Sequence, residues 1–293
     1  MDRILFGDNQ FFGVNHISDE KSRAQAIKFK EDSSIVKTIE IAIAEGIDTF
    51  MCTTHDRMIN ICSIIKNDVY KYHHFKMYPC LPYAHKYANA VTELGIVGTL
   101  KQYVPGNFFG SLLKGGVAFV AKDYIAMMQL MIDAEMKMFN GINTPVIFLQ
   151  NVITDLLLGL GMKDIFKAYH NYIKEKYKAE PGFITMNMPK LLNMLESVGI
   201  YNPIICTSIN IDGFRMSGGK QLYEETLHTR HVRVVAMQVL SGGVANPSKA
   251  IEYVCSLPNI ESILFGASSK ANIQQTVALI KHYDEVLQLN MAY

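Results

Sequence analysis

Short apolar runs rich in β-branched residues alternate with longer amphipathic runs along the whole chain, and this alternation limits the folds open to it. Strands that are apolar on both faces are typical of parallel sheets covered by helices. The candidate strands are 3–7, 47–52, 75–80, 145–150, 183–187, 203–208, 232–238 and 261–266. Eight strand–helix units close a barrel, so we predict a single (β/α)8 TIM-barrel domain over residues 1–293. The alternative is an open doubly wound sheet, but no G-x-G-x-x-G follows the first strand.

The connections between these strands carry apolar residues at the spacing of an α-helix. Residues 34–45 have a serine N-cap candidate and Gly46 just beyond their end, and 188–198 and 270–288 carry apolar residues at helical intervals. The connection over 84–144 is too long for one helix, and it holds two helical segments after the third strand. We interpret it either as packed cover or an oligomer contact, or as a substrate lid.

Composition excludes several functional classes. The chain is 49% hydrophobic and 19% charged, which predicts a large buried core. A net charge of +1 without a basic block gives nucleic-acid binding no electrostatic basis. No apolar run is long enough for a signal peptide or a membrane span. The five widely spaced cysteines indicate buried thiols in a reducing compartment, so we expect a cytoplasmic protein.

Polar residues cluster where the candidate strands end, and in a barrel these ends build the site. "GDNQFFGVNH" after the first strand offers Asp8, Asn9, Gln10, Asn15 and His16, and "TTHDR" follows the second. Later strand ends supply Tyr83 and His85, Gln150 and Asn151, Asn187, Thr207 and Ser208, and Gln238.

The loops after strands seven and eight predict a phosphate site. "SGG" (Ser241, Gly242, Gly243) allows close backbone approach, and "GASSK" (Gly266, Ser268, Ser269, Lys270) opens the last helix. Unpaired N–H groups at a helix start attract anions, and Lys270 adds charge. We therefore expect a phosphate-bearing small-molecule ligand. The alternative is plain helix capping by Ser268 or Ser269.

At this point the chain resembles a known family. "VRVVAMQVLSGGVA" with "IESILFGASSKANIQQTVALI" is similar to the last two units of aldo-keto reductases, and "FITMNMPKLLNMLESVGIYNPIICTSIN" to their fifth and sixth. "AIAEGIDTF" resembles their second strand. The resemblance implies a reductase barrel that holds NADP(H) with its phosphates near strands seven and eight, and Asn187 at the nicotinamide.

The family's catalytic residues carry over poorly. Its reaction uses an Asp, a Tyr, a Lys and a His, and the Tyr gives a proton to the carbonyl that receives hydride. Asp48 matches the Asp, but Thr53 stands at the Tyr position, and its hydroxyl is too weak an acid. No Lys stands in "MYPC", and the His position reads Gln150. Met186, Thr207 and Gln275–Thr276 depart from the family's cofactor contacts as well.

A replacement for the missing acid is expected nearby. His55 lies two residues beyond Thr53, beside Asp56 and Arg57, and histidine titrates near neutral pH. His16 and Tyr83 are further candidates, although a surface or structural role is the common one for a single histidine. No recognised metal-ligand spacing occurs, so we predict no metal.

Three functions stay open on the sequence. The first is a divergent NADP(H)-dependent oxidoreductase acting on carbonyls or alcohols with a non-family proton donor. The second is a lyase, isomerase or aldolase on the same barrel that acts on a phosphorylated or nucleotide-linked molecule. The third is a non-catalytic binding protein. A homo-oligomer is compatible with each of them.

Overall fold

The structure is a computed structural model, and it describes residues 1–13, 18–83 and 121–291. Eight parallel strands close into a barrel in chain order, each paired with the next and β8 with β1. The prediction of a (β/α)8 barrel is therefore confirmed. The strands are β1 (Ile4–Gly7), β2 (Thr49–Thr53), β3 (Lys76–Leu81), β4 (Val146–Leu149), β5 (Glu180–Thr185), β6 (Ile204–Ser208), β7 (Arg233–Met237) and β8 (Ile260–Phe265).

Most strand bounds agree with the sequence prediction to one or two residues, but β5 begins three residues earlier than expected. Its start, Glu180-Pro181-Gly182, contains two residues that strands disfavour. Pairing with β4 overrides this preference, since Glu180, Pro181 and Gly182 lie opposite Val146, Ile147 and Phe148. Local propensity failed here because the partner strand decides the backbone conformation.

Helices cover the barrel from outside. They are α1 (Asp19–Lys28), α2 (Asp32–Ala44), α3 (Met58–Asn67), α4 (Ala121–Met136), α5 (Asn151–Leu160), α6 (Lys163–Tyr172), α7 (Met188–Ser197), α8 (Lys220–Thr229), α9 (Pro247–Ser256) and α10 (Lys270–Met291). The predicted helices at 34–45, 188–198 and 270–288 correspond to α2, α7 and α10. Gly46 follows α2 with φ +87°, which is the left-handed conformation that ends a helix.

Two apolar layers hold the fold together. The inner layer fills the barrel with side chains such as Leu5, Tyr78, Phe148 and Val235, and the outer layer lies between strands and helices. All five cysteines are buried and free, as the sequence indicated. At the amino-terminal ends of the strands, ion pairs such as Lys76–Asp2 and Arg233–Glu261 surround the base of the barrel.

Of the long connection predicted at 84–144, residues 84–120 lie outside the described residues, as does His16. Its second helical segment corresponds to α4, whose inner face buries Met128, Ile132 and Met136 against the barrel. Within the part of the chain that is described, no helix combines the length and the apolarity that a membrane crossing requires.

Candidate functional site

A cavity of about 460 Å³ opens at the carboxyl ends of the strands, where a barrel builds its site. Its volume lies within the roughly 300–1,000 Å³ that is usual for small-molecule sites. The floor is apolar and rich in sulfur, because Met51, Cys80, Met186, Cys206 and Met237 contribute to it. The polar groups of the lining stand mainly on the loops, which is typical of a pocket that orients a largely apolar ligand.

Asp8 is the buried carboxyl group of this cavity. It follows β1 directly, and only 6% of its surface is exposed. Thr53, at the end of the neighbouring β2, donates to Asp8 Oδ2 from its backbone N (2.7 Å) and from Oγ1 (2.6 Å). Burial raises the pKa of Asp8, and the two Thr53 hydrogen bonds oppose that shift without cancelling it. The neutral carboxylic acid of Asp8 therefore persists to higher pH than that of an exposed aspartate.

Tyr83 lines the same cavity and is held by a second buried carboxyl group. Its backbone N donates to both carboxylate oxygens of Glu135 on α4, at 3.1 Å each. Thr54 Oγ1 also donates to Glu135, which is 2% exposed. Burial, followed by the negative charges of Asp8 and Asp56, raises the pKa of the Tyr83 phenol. Tyr83 therefore stays protonated at neutral pH and presents an O–H donor.

His55 lies just behind this wall. Its ring stacks on Phe12 with centroids 4.2 Å apart and an interplanar angle of 12°, and its centroid is 5.8 Å from that of Tyr83. Phe12 and Tyr83 line the cavity, whereas His55 itself does not. The structure thus brings His55 and Tyr83 together, as the adjacent strand ends predicted, with Tyr83 nearer to a ligand.

The placement of Asp48 at the mouth is wrong. Asp48 precedes β2, so it lies at the amino-terminal end of the barrel, opposite the cavity. Its backbone O accepts from Lys76 N at 2.8 Å, and it lines a separate basal cavity with Arg3 and Asp284. The predicted strand began two residues too early and so included Asp48, whereas the β2 residues that reach the mouth cavity are Met51 and Thr53.

Arg57 and Asp56 are also absent from the cavity wall. Arg57 points toward the start of α2, where its Nε donates to Asp32 Oδ1 at 2.7 Å and its Nη2 to Lys30 O at 3.1 Å. Asp56 is exposed to solvent. An ion pair with the neighbouring helix directs the guanidinium of Arg57 away from the cavity, so the structure does not bring it to the mouth as predicted.

The predicted phosphate residues divide into two groups. Gly242, Gly243 and Gly266 line the cavity. The others have structural contacts instead. Ser241 is buried and donates to Asp212 Oδ2 at 2.5 Å, Asn187 Oδ1 accepts from Lys190 N at 3.3 Å to cap α7, and the Ser268 carbonyl accepts from Lys28. Ser269 Oγ accepts from Asn272 N at 3.3 Å and Lys270 is exposed, so capping describes this helix start.

Two glutamine oxygens in the lining have no hydrogen-bond partner among the described residues. Gln10 Nε2 donates to Gly7 O at 2.7 Å, which fixes the orientation of the amide and turns Oε1 away from Gly7 toward Gly266. Gln10 is 4% exposed, and its Oε1, like that of Gln25 on α1, is buried with no hydrogen-bond partner. Buried acceptors without donors cost free energy, and a ligand N–H would satisfy them.

Sequence reasoning missed Arg215 and Glu135 and did not select Asp8. Asp8 carried a usable signal, since a carboxyl group directly after an apolar strand stands at the mouth of a barrel. Arg215 lies in the loop between β6 and α8, and no spacing rule predicts where such a loop directs a side chain. Within residues 1–13, 18–83 and 121–291, no three His, Cys, Asp or Glu side chains converge in a way that would hold a metal ion.

The fold is shared with solved aldo-keto reductases. A Pseudomonas aeruginosa protein assigned to the aldo-keto reductases matches 96% of this chain and 90% of its own, with a TM-score of 0.57 and 12% identity. A protein assigned as a 2,5-diketo-D-gluconic acid reductase B matches with a TM-score of 0.54 and 7% identity, over 94% of this chain and 81% of its own.

The aldose reductase of Giardia lamblia has a TM-score of 0.50 and 12% identity, over 95% of this chain and 87% of its own. No family model matches the chain, and no curated protein does. At these identities the likeness concerns the fold, and the resemblance expected from the sequence is confirmed at that level.

Proposed function

We propose that this protein is a divergent aldo-keto reductase-like oxidoreductase that interconverts a carbonyl compound and its alcohol with NADP(H). The observation that carries the proposal is that Tyr83, a proton donor, and Asp8, a carboxyl group whose pKa burial raises, line one cavity in a barrel of this fold. A proton donor is the part of the family's chemistry that the sequence lacks at Thr53, and Tyr83 can supply it.

The lining also fits the cofactor. Gly242 and Gly243 carry no side chain into the cavity at the end of β7, and a Cβ added at Gly243 would meet no atom within 4 Å. The unpartnered oxygens of Gln10 and Gln25 suit the N–H groups of a carboxamide or an adenine amino group. When bound, the cofactor supplies a hydride to the carbonyl carbon.

The chain's own residues then handle the charge and the proton. As the carbonyl oxygen gains negative charge, the Tyr83 O–H donates a hydrogen bond to it and gives up the proton. The raised pKa of Asp8 limits the negative charge that would oppose this oxyanion. His55, in ring contact with Tyr83, is placed to return the proton from solvent.

Two measurements test the proposal. NADPH should bind to the purified protein in a calorimetric titration, and the complex should reduce aromatic aldehydes. Tyr83→Phe should lower kcat by about 100-fold or more while NADPH affinity is kept. Tyr253→Phe is the matched control, because its hydroxyl bonds to Glu224 on the outer helices at 2.7 Å. A protein that binds no NADPH refutes the proposal.

A second candidate is a lyase or isomerase that uses the same donors on an enolate. It is supported by the capping and structural roles of Ser241, Ser269 and Asn187, which leave fewer side chains for a dinucleotide than expected. Mass spectrometry of the protein isolated under native conditions separates the two. A phosphorylated metabolite in place of a nicotinamide nucleotide would favour the second candidate.

A further inference from the structure

Arg215 is a cation whose backbone is held in place at the rim of the mouth cavity. The preceding residue, Phe214, is held by Asn210, which is fully buried and bonds it twice, from Nδ2 to Phe214 O (2.9 Å) and from Phe214 N to Oδ1 (2.7 Å). Arg215 itself has φ +55°, a left-handed conformation that costs free energy for a side chain of this size. Its guanidinium carbon lies 5.3 Å from the Phe214 ring centroid.

In the part of the chain that the structure describes, no carboxylate pairs with this cation. Among the described residues, none lies within ion-pair distance of Arg215. Other arginines of the chain do have such partners: Arg3 with Asp284, Arg57 with Asp32, Arg230 with Glu196, and Arg233 with Glu180 and Glu261. A guanidinium with five donors and no acceptor, on the wall of a cavity, is suited to an anionic ligand.

Arg215 is exposed at the rim of the cavity, and an arginine is charged at every physiological pH. Burial raises the pKa values of Cys80 and Cys206, and burial with nearby negative charge raises that of Tyr83, so these lining groups are neutral. Burial also raises the pKa of Asp8, which weakens the opposing negative charge. Among the described residues of the lining, Arg215 is the one cation.

The floor of the cavity favours a ligand with an apolar body. Met51, Ile184, Met186, Met237 and Leu264 line it, and methionine adapts its shape to flat or irregular groups. These surfaces offer nothing to the hydroxyl groups of a sugar. A ligand that satisfies both regions has an apolar body and an anionic end.

We propose that the substrate is an apolar carbonyl compound with a carboxylate group, and that Arg215 binds this carboxylate. The inference rests on the proposed oxidoreductase function and names its substrate class. The planar guanidinium matches a carboxylate with two parallel hydrogen bonds. The other source of an anion is the pyrophosphate of the cofactor, and the experiment separates the two.

The test compares 4-carboxybenzaldehyde with 4-methylbenzaldehyde, using NADPH and the full chain. Arg215→Gln should raise KM for the carboxylate compound by about 10- to 100-fold, as for the loss of a charge-assisted pair worth about 1.5–3 kcal/mol. The kinetics of the methyl compound and the Kd of NADPH should stay unchanged. Arg230→Gln, which removes a surface arginine paired with Glu196, should alter none of these values.

Several results would overturn the inference. An equal loss with both aldehydes would make Arg215 structural, and a weakened Kd for NADPH would assign it to the cofactor's phosphates. If neither aldehyde reacts, binding of 4-methylbenzoate and of 4-methylbenzyl alcohol is measured by calorimetry. Carboxylate binding that Arg215→Gln abolishes would then support the anion subsite while the redox function fails, and equal binding of both compounds would refute the subsite.

Discussion

Gly182→Ala should be among the most damaging single-methyl additions in this barrel. Gly182 lies in β5 directly opposite Phe148 of β4. A Cβ at position 182 would stand 2.4 Å from both Cδ1 and Cε1 of Phe148 and 3.0 Å from its Cγ. Carbon atoms pack at about 3.5–4.0 Å, so the ring has to move by more than about 1 Å. The backbone at Gly182 is not left-handed, and the penalty is therefore steric alone.

The magnitude follows from what surrounds the ring. Phe148 is fully buried in the inner layer and lies beside Tyr78, with ring centroids 6.3 Å apart. Overpacking a close-packed core costs about 1–3 kcal/mol, and the short contact places this site at the upper end. The alanine also restricts the unfolded chain, which offsets about 0.4–1 kcal/mol. We expect a net loss of about 2 kcal/mol in the free energy of unfolding.

Urea unfolding followed by circular dichroism measures this loss, with Gly159→Ala as the matched control. Gly159 lies within α5, and a Cβ there would meet nothing within 4 Å. The same substitution should therefore stabilise the protein by about 0.5–1 kcal/mol through helix propensity. The double variant Phe148→Leu with Gly182→Ala should lose less than the sum of the single variants, because the smaller side chain relieves the contact. A Gly182→Ala protein as stable as the wild type would refute the reasoning.

The remaining predictions concern buried and surface charges. Because burial raises the folded pKa of Asp8, its contribution to stability is complete below the ordinary carboxyl pKa and is lost as pH rises through the raised value. Thermal unfolding from about pH 4 to about pH 8 should therefore show Asp8→Asn gaining stability relative to wild type as pH rises, and a constant difference would contradict this. Glu135→Ala should cost about 1–3 kcal/mol in urea unfolding and lower activity, since Tyr83 N and Thr54 Oγ1 lose their buried acceptor. Arg57→Ala should cost about 0.2–1 kcal/mol and leave kcat unchanged, whereas a large drop in kcat would restore Arg57 to the site. Asp48→Asn should leave the kinetics of any reaction unchanged, because the residue lies at the base of the barrel.

The sequence determined the architecture because hydrophobic periodicity is a local property that every strand and helix repeats. Seven strands could be predicted to within about two residues, and α2 was readable from its spacing and from Gly46 beyond its end. The serine N-cap candidate was wrong, because α2 already begins at Asp32 with Glu31 as its N-cap. The start of β5 was not, since Glu-Pro-Gly becomes a strand only through its pairing with β4. The direction of the chain through a parallel barrel also placed the site at the carboxyl ends of the strands.

Only the tertiary structure decided which side chains form that site. Thr53, Asp8 and Tyr83 belong to three strand ends that meet only when the barrel closes, and the pKa of Asp8 depends on that burial. Arg57 and Lys270 were the cations expected near the mouth, yet an ion pair turns Arg57 away and Lys270 does not line the cavity, whereas Arg215 does. The type of a polar residue shows which chemistry it could perform. Whether the residue acts in the cavity depends on the direction and the desolvation of its side chain, and distant parts of the chain determine both.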